Sequence, residues 1–314
     1  MTKFIDASVV LATYNGEEFL LAQLNSIINQ TKVPREIVFL DDGSTDATLK
    51  IIDTFCRNLP QEISIQKILR ETNIGYIKNF LDGIDRANFD TIFLCDQDDL
   101  WEVNKVEKIL DFFESHNDCI ALHSNTKIID QNDRVIKENG QEYHGVQKIS
   151  LENFITKVNY PGMALAFKKD KIGRELQEIN LSGIQLPTHD WVICYLASLQ
   201  NGFFTSDIVL TRRRYTGKNV ALQLEPQNGK ESRIDGINLY MTYYHFVDEY
   251  QKIASTQIID TKKLIDTSEI RVNYLEKNSV MKWLFNIKSW RYYPSFKSYL
   301  NDGIFIFKDK KNLF

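Results

Sequence analysis

The sequence predicts an α/β fold: a Rossmann-like, mostly parallel central sheet flanked by helices, with a helical C-terminal appendage. Three observations carry this expectation. Short apolar runs alternate with helix-spaced apolar residues four times between Ser8 and Phe113. Each run ends in a polar loop, and strands alternating with helices in this way build parallel sheets. The 314 residues suffice for one large α/β domain plus an appendage.

The elements follow in order. Ser8–Ala12 is the first, central strand, ending at Thr13-Tyr14-Asn15-Gly16. Asn15 with Glu18 resembles a capping box, and Leu20, Leu24, Ile27 and Ile28 then recur at helical spacing. Pro34 is expected to close this unit. Glu36–Leu40 is the second strand and runs into Asp41-Asp42-Gly43-Ser44, with Ser44 expected to cap a helix carrying Leu49, Ile52 and Phe55. Ser64–Leu69 is a third, weaker strand, followed by Asn73-Ile74-Gly75 and a helix with Ile77, Phe80, Leu81 and Ile84. Thr91–Leu94 is the fourth strand and leads into Asp96-Gln97-Asp98-Asp99-Leu100-Trp101. Val103, Val106, Leu110 and Phe113 mark the next helix. The second half is less regular. Ile120–Ser124, Met163–Phe167 and Asp207–Leu210 read as strands, and Asp130–Gly145 as a loop or hairpin. Pro187–Trp191 opens an apolar helix reaching Leu199.

Composition narrows the function. A hydrophobic content of 43% and a charged content of 25% are ordinary for a globular chain, and a net charge of -4 gives no reason to expect nucleic acid. Cys56, Cys95, Cys119 and Cys194 are far apart and form no CxxC pair, which fits a reducing cytoplasm. Asp6 stands where a signal peptide would have its apolar run, and no stretch approaches the ~18 apolar residues of a spanning helix. From Asn278 to Phe314, seven Lys/Arg face two Asp/Glu, a net of +5 on an otherwise acidic chain.

Asp96, Asp98 and Asp99 lie within four positions and repel one another; a cation relieves that repulsion. Oxygen-only ligands suit Mg²⁺ or Mn²⁺ completed by water and substrate phosphates. A solvated acidic turn is the alternative. In open parallel sheets, ligands bind beyond the carboxyl ends of the strands. Thr13-Tyr14-Asn15, Asp41-Asp42, Asn73-Ile74-Gly75 and Asp96–Asp99 all fall at those ends. Turn chemistry explains each loop singly, whereas four at one edge point to a crevice. The first strand lacks GxGxxG, and no Walker sequence occurs. A DxD after the fourth strand, not the first, argues against a haloacid-dehalogenase-type phosphohydrolase.

Val9–Asn15, Leu40–Asp46 and Asp96-Gln97-Asp98-Asp99-Leu100-Trp101 together resemble the family-two, GT-A-fold, inverting glycosyltransferases. His189-Asp190-Trp191 extends the likeness, which spans roughly Ser8 to Asn219 and is nearest to bacterial rhamnosyltransferases of surface-polysaccharide assembly. The resemblance implies a catalytic domain over 1–222, with a nucleotide-binding half to about 115 and an acceptor half after it, and a helical region over 223–314. It implies roles residue by residue. Asp42 pairs with the nucleobase imide N–H, a donor that an ionised carboxylate suits. Thr13, Tyr14 and Glu17 or Glu18 border the nucleotide. Asn73, Gly75 and Lys78 lie near the nucleotide and diphosphate. Asp98 is the direct metal ligand, and Asp96 contacts ribose or the metal shell. Gln97 contacts the nucleotide sugar, and Gln97, Trp101 and the 160–190 region shape the sugar pocket; Trp101, Gly162 and His189 are candidates for contact with the acceptor or diphosphate. Asp190 is the general base that takes the acceptor hydroxyl proton; read alone, it would serve as an N-cap. His189 binds acceptor or packs.

One departure stands out. Relatives carry an Arg-x-His-x-x-Asn-like segment, and here Arg214-Tyr215-Thr216-Gly217-Lys218-Asn219 puts Thr216 in place of the His. Arg212, Arg213, Arg214 and Lys218 could hold the diphosphate instead, or form a solvated basic loop. The implied activity is metal-dependent transfer from a nucleoside-diphosphate sugar, dTDP-rhamnose or a UDP-hexose, to a growing, lipid-linked glycan. A non-catalytic nucleotide-sugar or glycan-binding module and a nucleotidyltransferase are the rival classes. The aromatic, basic tail suits either the surface of an anionic membrane, or packing on the catalytic domain or on a second subunit of a homodimer.

Overall fold

A computed structural model describes residues 3–156, 160–217 and 229–311, the last three as backbone only. The chain divides into two compact units. The first contains, in order, β1 (Lys3–Thr13), α1 (Leu20–Ile28), β2 (Lys32–Asp41), α2 (Thr48–Arg57), β3 (Ser64–Leu69), α3 (Tyr76–Arg86), β4 (Thr91–Asp96), β5 (Leu100–Trp101), α4 (Lys105–Ser115), β6 (Ala121–Ile129), β7 (Val135–Lys137), β8 (Gln147–Lys148), α5 (Leu151–Ile155), a 3₁₀ turn (Gly162–Ala164), β9 (Leu165–Lys168), α6 (Lys169–Ser182), α7 (His189–Leu199) and β10 (Phe203–Arg214). The domain boundary expected at 222 lies outside the described residues.

One sheet runs in the order β3-β2-β1-β4-β9-β6-β10-β5, with β7 on β6 and β8 on β10. β1 pairs in parallel with β2 and β4, and β2 with β3. β9 runs antiparallel between β4 and β6. The central strands carry apolar side chains on both faces because helices cover both. Val9, Val10 and Leu11 of β1 are fully buried, as are Phe93 and Leu94 of β4. β3 is an edge strand, which accounts for its weak apolar signal in Ser64–Leu69.

Several local expectations are corrected. Pro34 does not close a unit; it lies within β2, beside a register shift between Ile5 and Ser8, where a missing N–H is tolerated. Neither Asn15 with Glu18 nor Ser44 caps a helix: α1 is preceded by Phe19 and α2 by Ala47, neither with a side-chain cap. The polar side chains of Asn15 and Ser44 are spent on tying loops together. β10 extends through Arg214, so Arg212–Arg214 belong to a strand and not to a solvated loop. Helix α6 carries buried Ile172, Leu176 and Ile179 and was not anticipated, its apolar residues being sparse.

The second unit contains α8 (Lys230–Ile253), α9 (Thr261–Glu276), α10 (Val280–Phe285), a 3₁₀ segment (Asn286–Tyr292) and α11 (Phe296–Lys311). Ile237, Tyr274, Leu275 and Ile306 form its core. Asp302 is fully buried there and accepts hydrogen bonds from Arg233, Arg271 and Tyr274. Pro294 separates the 3₁₀ segment from α11, as the ring requires.

Candidate active site

Register places the chemistry. Thr13 pairs with Asp41 across β1 and β2, and Ala12 with Asp96 across β1 and β4. The carboxyl ends of three parallel strands therefore bring Thr13, Asp41-Asp42 and Asp96 to one edge. Hydrogen bonds then sew the first two loops together. Thr13 Oγ1 donates to Asp41 Oδ2 at 2.8 Å, and Ser44 donates to Asp41 through both its N–H and its hydroxyl. Ser44 Oγ accepts the Asn15 N–H at 2.9 Å, and Asn15 Oδ1 accepts the Thr45 N–H at 2.8 Å. Glu17 accepts the Ala47 N–H at 2.8 Å. Thr13 and Glu17 thus act as struts of this edge, while the ring of Tyr14 is 48% exposed beside it.

Asp42 is buried, and its two oxygens accept the N–H groups of Ile74 and Gly75 at 2.9 and 3.0 Å. Asn73 Oδ1 also accepts the Gly75 N–H, at 2.9 Å. Asp42 therefore shapes the Asn73–Gly75 loop. Each oxygen of an ionised carboxylate has a second lone pair, so the group keeps acceptor capacity. Lys78 is exposed on the first turn of α3.

At the end of β4 the acids divide their work. Asp99 is buried and accepts the Arg214 N–H at 2.9 Å. Asp96 and Asp98 are half-buried. Loss of hydration, then the neighbouring Asp98 charge, push the Asp96 carboxyl up to about 7. Burial also raises Asp98. Two mutually repelling carboxylates of this kind fit a hard divalent cation completed by phosphate oxygens and water. Among the described residues, no group of three or more His, Cys, Asp or Glu side chains converges to supply a fuller shell. Gln97, expected to face the sugar, instead commits its amide to the backbone of Tyr14: Oε1 accepts the Tyr14 N–H at 2.8 Å and Nε2 donates to the Tyr14 carbonyl at 3.0 Å.

The basic strand end separates into three roles. Arg212 makes a bidentate pair with Glu102 at 2.9 and 3.0 Å. Arg214 is 1% exposed; it donates to the carbonyls of Asp98 and Asp130 and pairs with Asp133 at 2.6 Å. Both are thus engaged by protein partners, while the Arg212 side chain stays 41% exposed. Strand alternation turns Arg213 to the other face, where its charge offsets Asp96, Asp98 and Asp99. Thr216 accepts a hydrogen bond from Gln131 at its carbonyl, and Lys218 lies outside the described residues.

Trp101 is 4% exposed and packs on Phe93 in the core. Sequence reasoning missed Lys105, which is fully buried 4.2 Å from the Trp101 ring centroid and donates to the Met163 carbonyl and Thr211 Oγ1. Burial lowers its ammonium to about 8, against the opposing pull of Cys95, Asp99 and Asp96. The signal was present: Lys105 is in helical phase with buried Ile109 and Phe112.

Asp190 is the second residue of α7, behind Thr188 at the N-cap position, so it is not the cap. It lies near enough to Asp96 for its charge to raise that carboxyl further. Its neighbour His189 is 5% exposed, stacks on Phe80 with centroids 4.1 Å apart, and has no hydrogen bond at either ring nitrogen among the described residues. Burial lowers its pKa against the pull of Asp190, which keeps the imidazole neutral. Gly162 makes room for this pair: a Cβ there would fall 3.0 Å from His189 Nε2 and 3.5 Å from the Asp190 Cβ. Tyr76, also missed, is 42% exposed and meets the edge of His189 at 5.9 Å.

Comparison with known proteins bears on the family and the fold. A glycosyltransferase of Nostoc sp. is 31% identical over 131 residues, which are 42% of this chain and 39% of that protein. The dTDP-rhamnosyl transferase RfbG of Shigella flexneri is 38% identical over 110 residues, 34% of this chain and 38% of its own length. The matched stretch thus spans well under half of these relatives. Among solved structures, S. aureus TarS 1-349 in complex with UDP-GlcNAc aligns with a TM-score of 0.59 at 16% identity, covering 98% of this chain and 92% of that one. The mannosyltransferase PcManGT from Pyrobaculum calidifontis, in complex with GDP-Man and Mn²⁺, aligns with a TM-score of 0.52 at 13% identity, covering 95% and 73%. These likenesses establish the GT-A fold. The family model for glycosyl transferase family 2 matches residues 8–173, more than half of the chain, and the protein belongs to that family.

Proposed function

We propose that the protein is a metal-dependent, inverting glycosyltransferase that moves a sugar from a nucleoside diphosphate to a growing, lipid-linked bacterial glycan on the cytoplasmic side. What supports this reading is that Asp41-Asp42 and Asp96 end the two strands that flank β1, and that the charge of Asp190 is felt at Asp96. dTDP-rhamnose is the first donor to test, supported by the likeness to the dTDP-rhamnosyl transferase of Shigella; UDP-hexoses follow.

In this reading Asp42 and the Asn73–Gly75 loop receive the base, and Tyr14 borders the nucleotide. Asp98 and Asp96 would hold Mn²⁺ or Mg²⁺, whose charge neutralises the departing diphosphate. Arg213 adds a second cation to the same region. Asp190 accepts the proton of the acceptor hydroxyl as that oxygen attacks the anomeric carbon opposite the diphosphate. His189, neutral and without a hydrogen bond among the described residues, offers a donor and an acceptor to the incoming sugar.

A thermal-shift panel of nucleotide sugars, with and without Mn²⁺, identifies the donor by its stabilisation. Turnover of that donor should fall at least about a thousandfold in Asp190→Asn, while donor binding persists. No stabilisation by any nucleotide sugar, or an Asp190→Asn variant as active as the parent, would sink the proposal. Donor binding without turnover in the parent would favour a binding module.

A further inference from the structure

Helix α11 has two faces. Tyr299, Asp302 and Ile306 are buried within the second unit. Phe296, Leu300, Ile304 and Phe307 share another stripe and are each 44–50% exposed. Ring contacts carry this stripe onto its neighbours: Trp290 meets Phe296 with centroids 5.6 Å apart, and Trp283 meets Phe307 at 6.0 Å. On α10 and the 3₁₀ segment, Leu284, Phe285, Ile287 and Trp290 are exposed as well, Phe285 at 78%.

Between Ser279 and Lys308 the exposed charges are all of one sign. They are Lys282, Lys288, Arg291, Lys297 and Lys308. The one acid in that stretch, Asp302, is fully buried between Arg233 and Arg271. The fold therefore removes the negative charge and leaves the cations outside, on a chain whose net charge is -4.

We propose that this face of the second unit docks on the surface of an anionic lipid bilayer. Exposed Phe, Trp, Ile and Leu flanked by Lys and Arg match the depth profile of a membrane interface: apolar groups reach the acyl boundary and long cationic side chains snorkel to the headgroups. No helix among the described residues is long and apolar enough to cross a membrane; the contact proposed is with the bilayer surface. A second copy of the chain suits the face less well. Two such surfaces pressed together would oppose cation to cation, and like-charge juxtaposition disfavours association. The inference is independent of the transfer chemistry proposed above.

Co-sedimentation of the full chain with vesicles tests it. Vesicles of phosphatidylcholine mixed with phosphatidylglycerol should bind the protein, less so as salt rises, and phosphatidylcholine alone should bind it far more weakly. Each cation near an anionic surface is worth about fivefold in partitioning. The exposed triple variant Lys288→Gln/Arg291→Gln/Lys297→Gln should therefore lose on the order of a hundredfold, with an unchanged melting curve. Phe285→Glu should also weaken binding. The lipid and salt comparison on the unaltered chain stands even if a variant fails to fold. Absence of vesicle binding, or equal binding to both vesicle types without salt dependence, overturns the proposal. So does a dimer that Phe285→Glu splits while vesicle binding is absent, because a second copy is then the occupant.

Discussion

Gln97 and Tyr14, 83 residues apart, are joined by a two-way amide clasp: the Gln97 side chain both accepts from and donates to the Tyr14 backbone. The contact ties the loop after β4 to the loop after β1, and so fixes the acidic edge relative to the first strand. It also explains Gly16, where a Cβ would come within 2.2 Å of Gln97 Oε1.

That clasp predicts a shared phenotype. Gln97→Ala and Gly16→Ala should each raise the donor KM about tenfold, through misplacement of Tyr14, at a stability cost of about 1–2 kcal/mol. The double variant should lose less than the product of the two, since both break one contact. Steady-state kinetics with a donor titration, beside urea melts, measures both effects. Strictly additive losses would mean that the two residues act separately.

Alternation along β10 predicts that neighbouring arginines respond differently. Arg213→Gln should weaken donor binding about tenfold or more and leave stability within about 0.5 kcal/mol, since its charge faces the acids at the half-buried edge. Arg214→Gln should cost about 3 kcal/mol of stability, because it strips a buried side-chain brace from the Asp98 and Asp130 carbonyls and from the Asp133 carboxylate. Calorimetric donor affinities and denaturant midpoints separate the two. Equal loss of stability in both would contradict the alternation argument.

Glu36 predicts a pH dependence remote from the site. Burial favours its neutral form, yet hydrogen bonds from Ser8, Gln66 and Asn88 outweigh that and hold the carboxyl below its ordinary range. A depressed pKa stabilises the fold above the unfolded value of about 4.3, and this contribution is lost as pH falls through the folded pKa. The stability gap between the parent and Glu36→Gln should therefore be constant above about pH 5 and shrink on further acidification. Urea midpoints for both proteins over that range give the answer, and a gap that widens in acid would refute the assignment.

In the second unit, Asp302→Asn should destabilise by about 3–5 kcal/mol. It leaves Arg271 buried without its counter-charge and replaces one of the two acceptor oxygens, Oδ1 for Arg233 and Oδ2 for Tyr274, by an NH2 donor. Thermal melts should show the loss. Asp302→Leu should be no better, because the two arginines still lack a partner.

The sequence by itself determined the order of strands and helices in the first half, because apolar periodicity records which face is buried and the loop residues record where each strand ends. It also located the Asp42, Asp96–Asp98 and Asp190 segments, whose motifs are local in the chain. Only the tertiary structure decided what each side chain does. Gln97 and Glu17 are spent on backbone N–H groups of other loops, Trp101 is core, and Arg212 and Arg214 are braces while Arg213 is turned to the acids. Those outcomes depend on partners tens of residues away, brought near by strand register, and no local pattern encodes them. The same holds for the tail: its aromatics and cations were visible, but burial of Asp302 and exposure of one stripe of α11 follow from packing against α8 and α9. Hydrogen-bond satisfaction and burial are properties of the assembled fold, and they divided chemically similar residues into those that hold the site and those that remain at its surface.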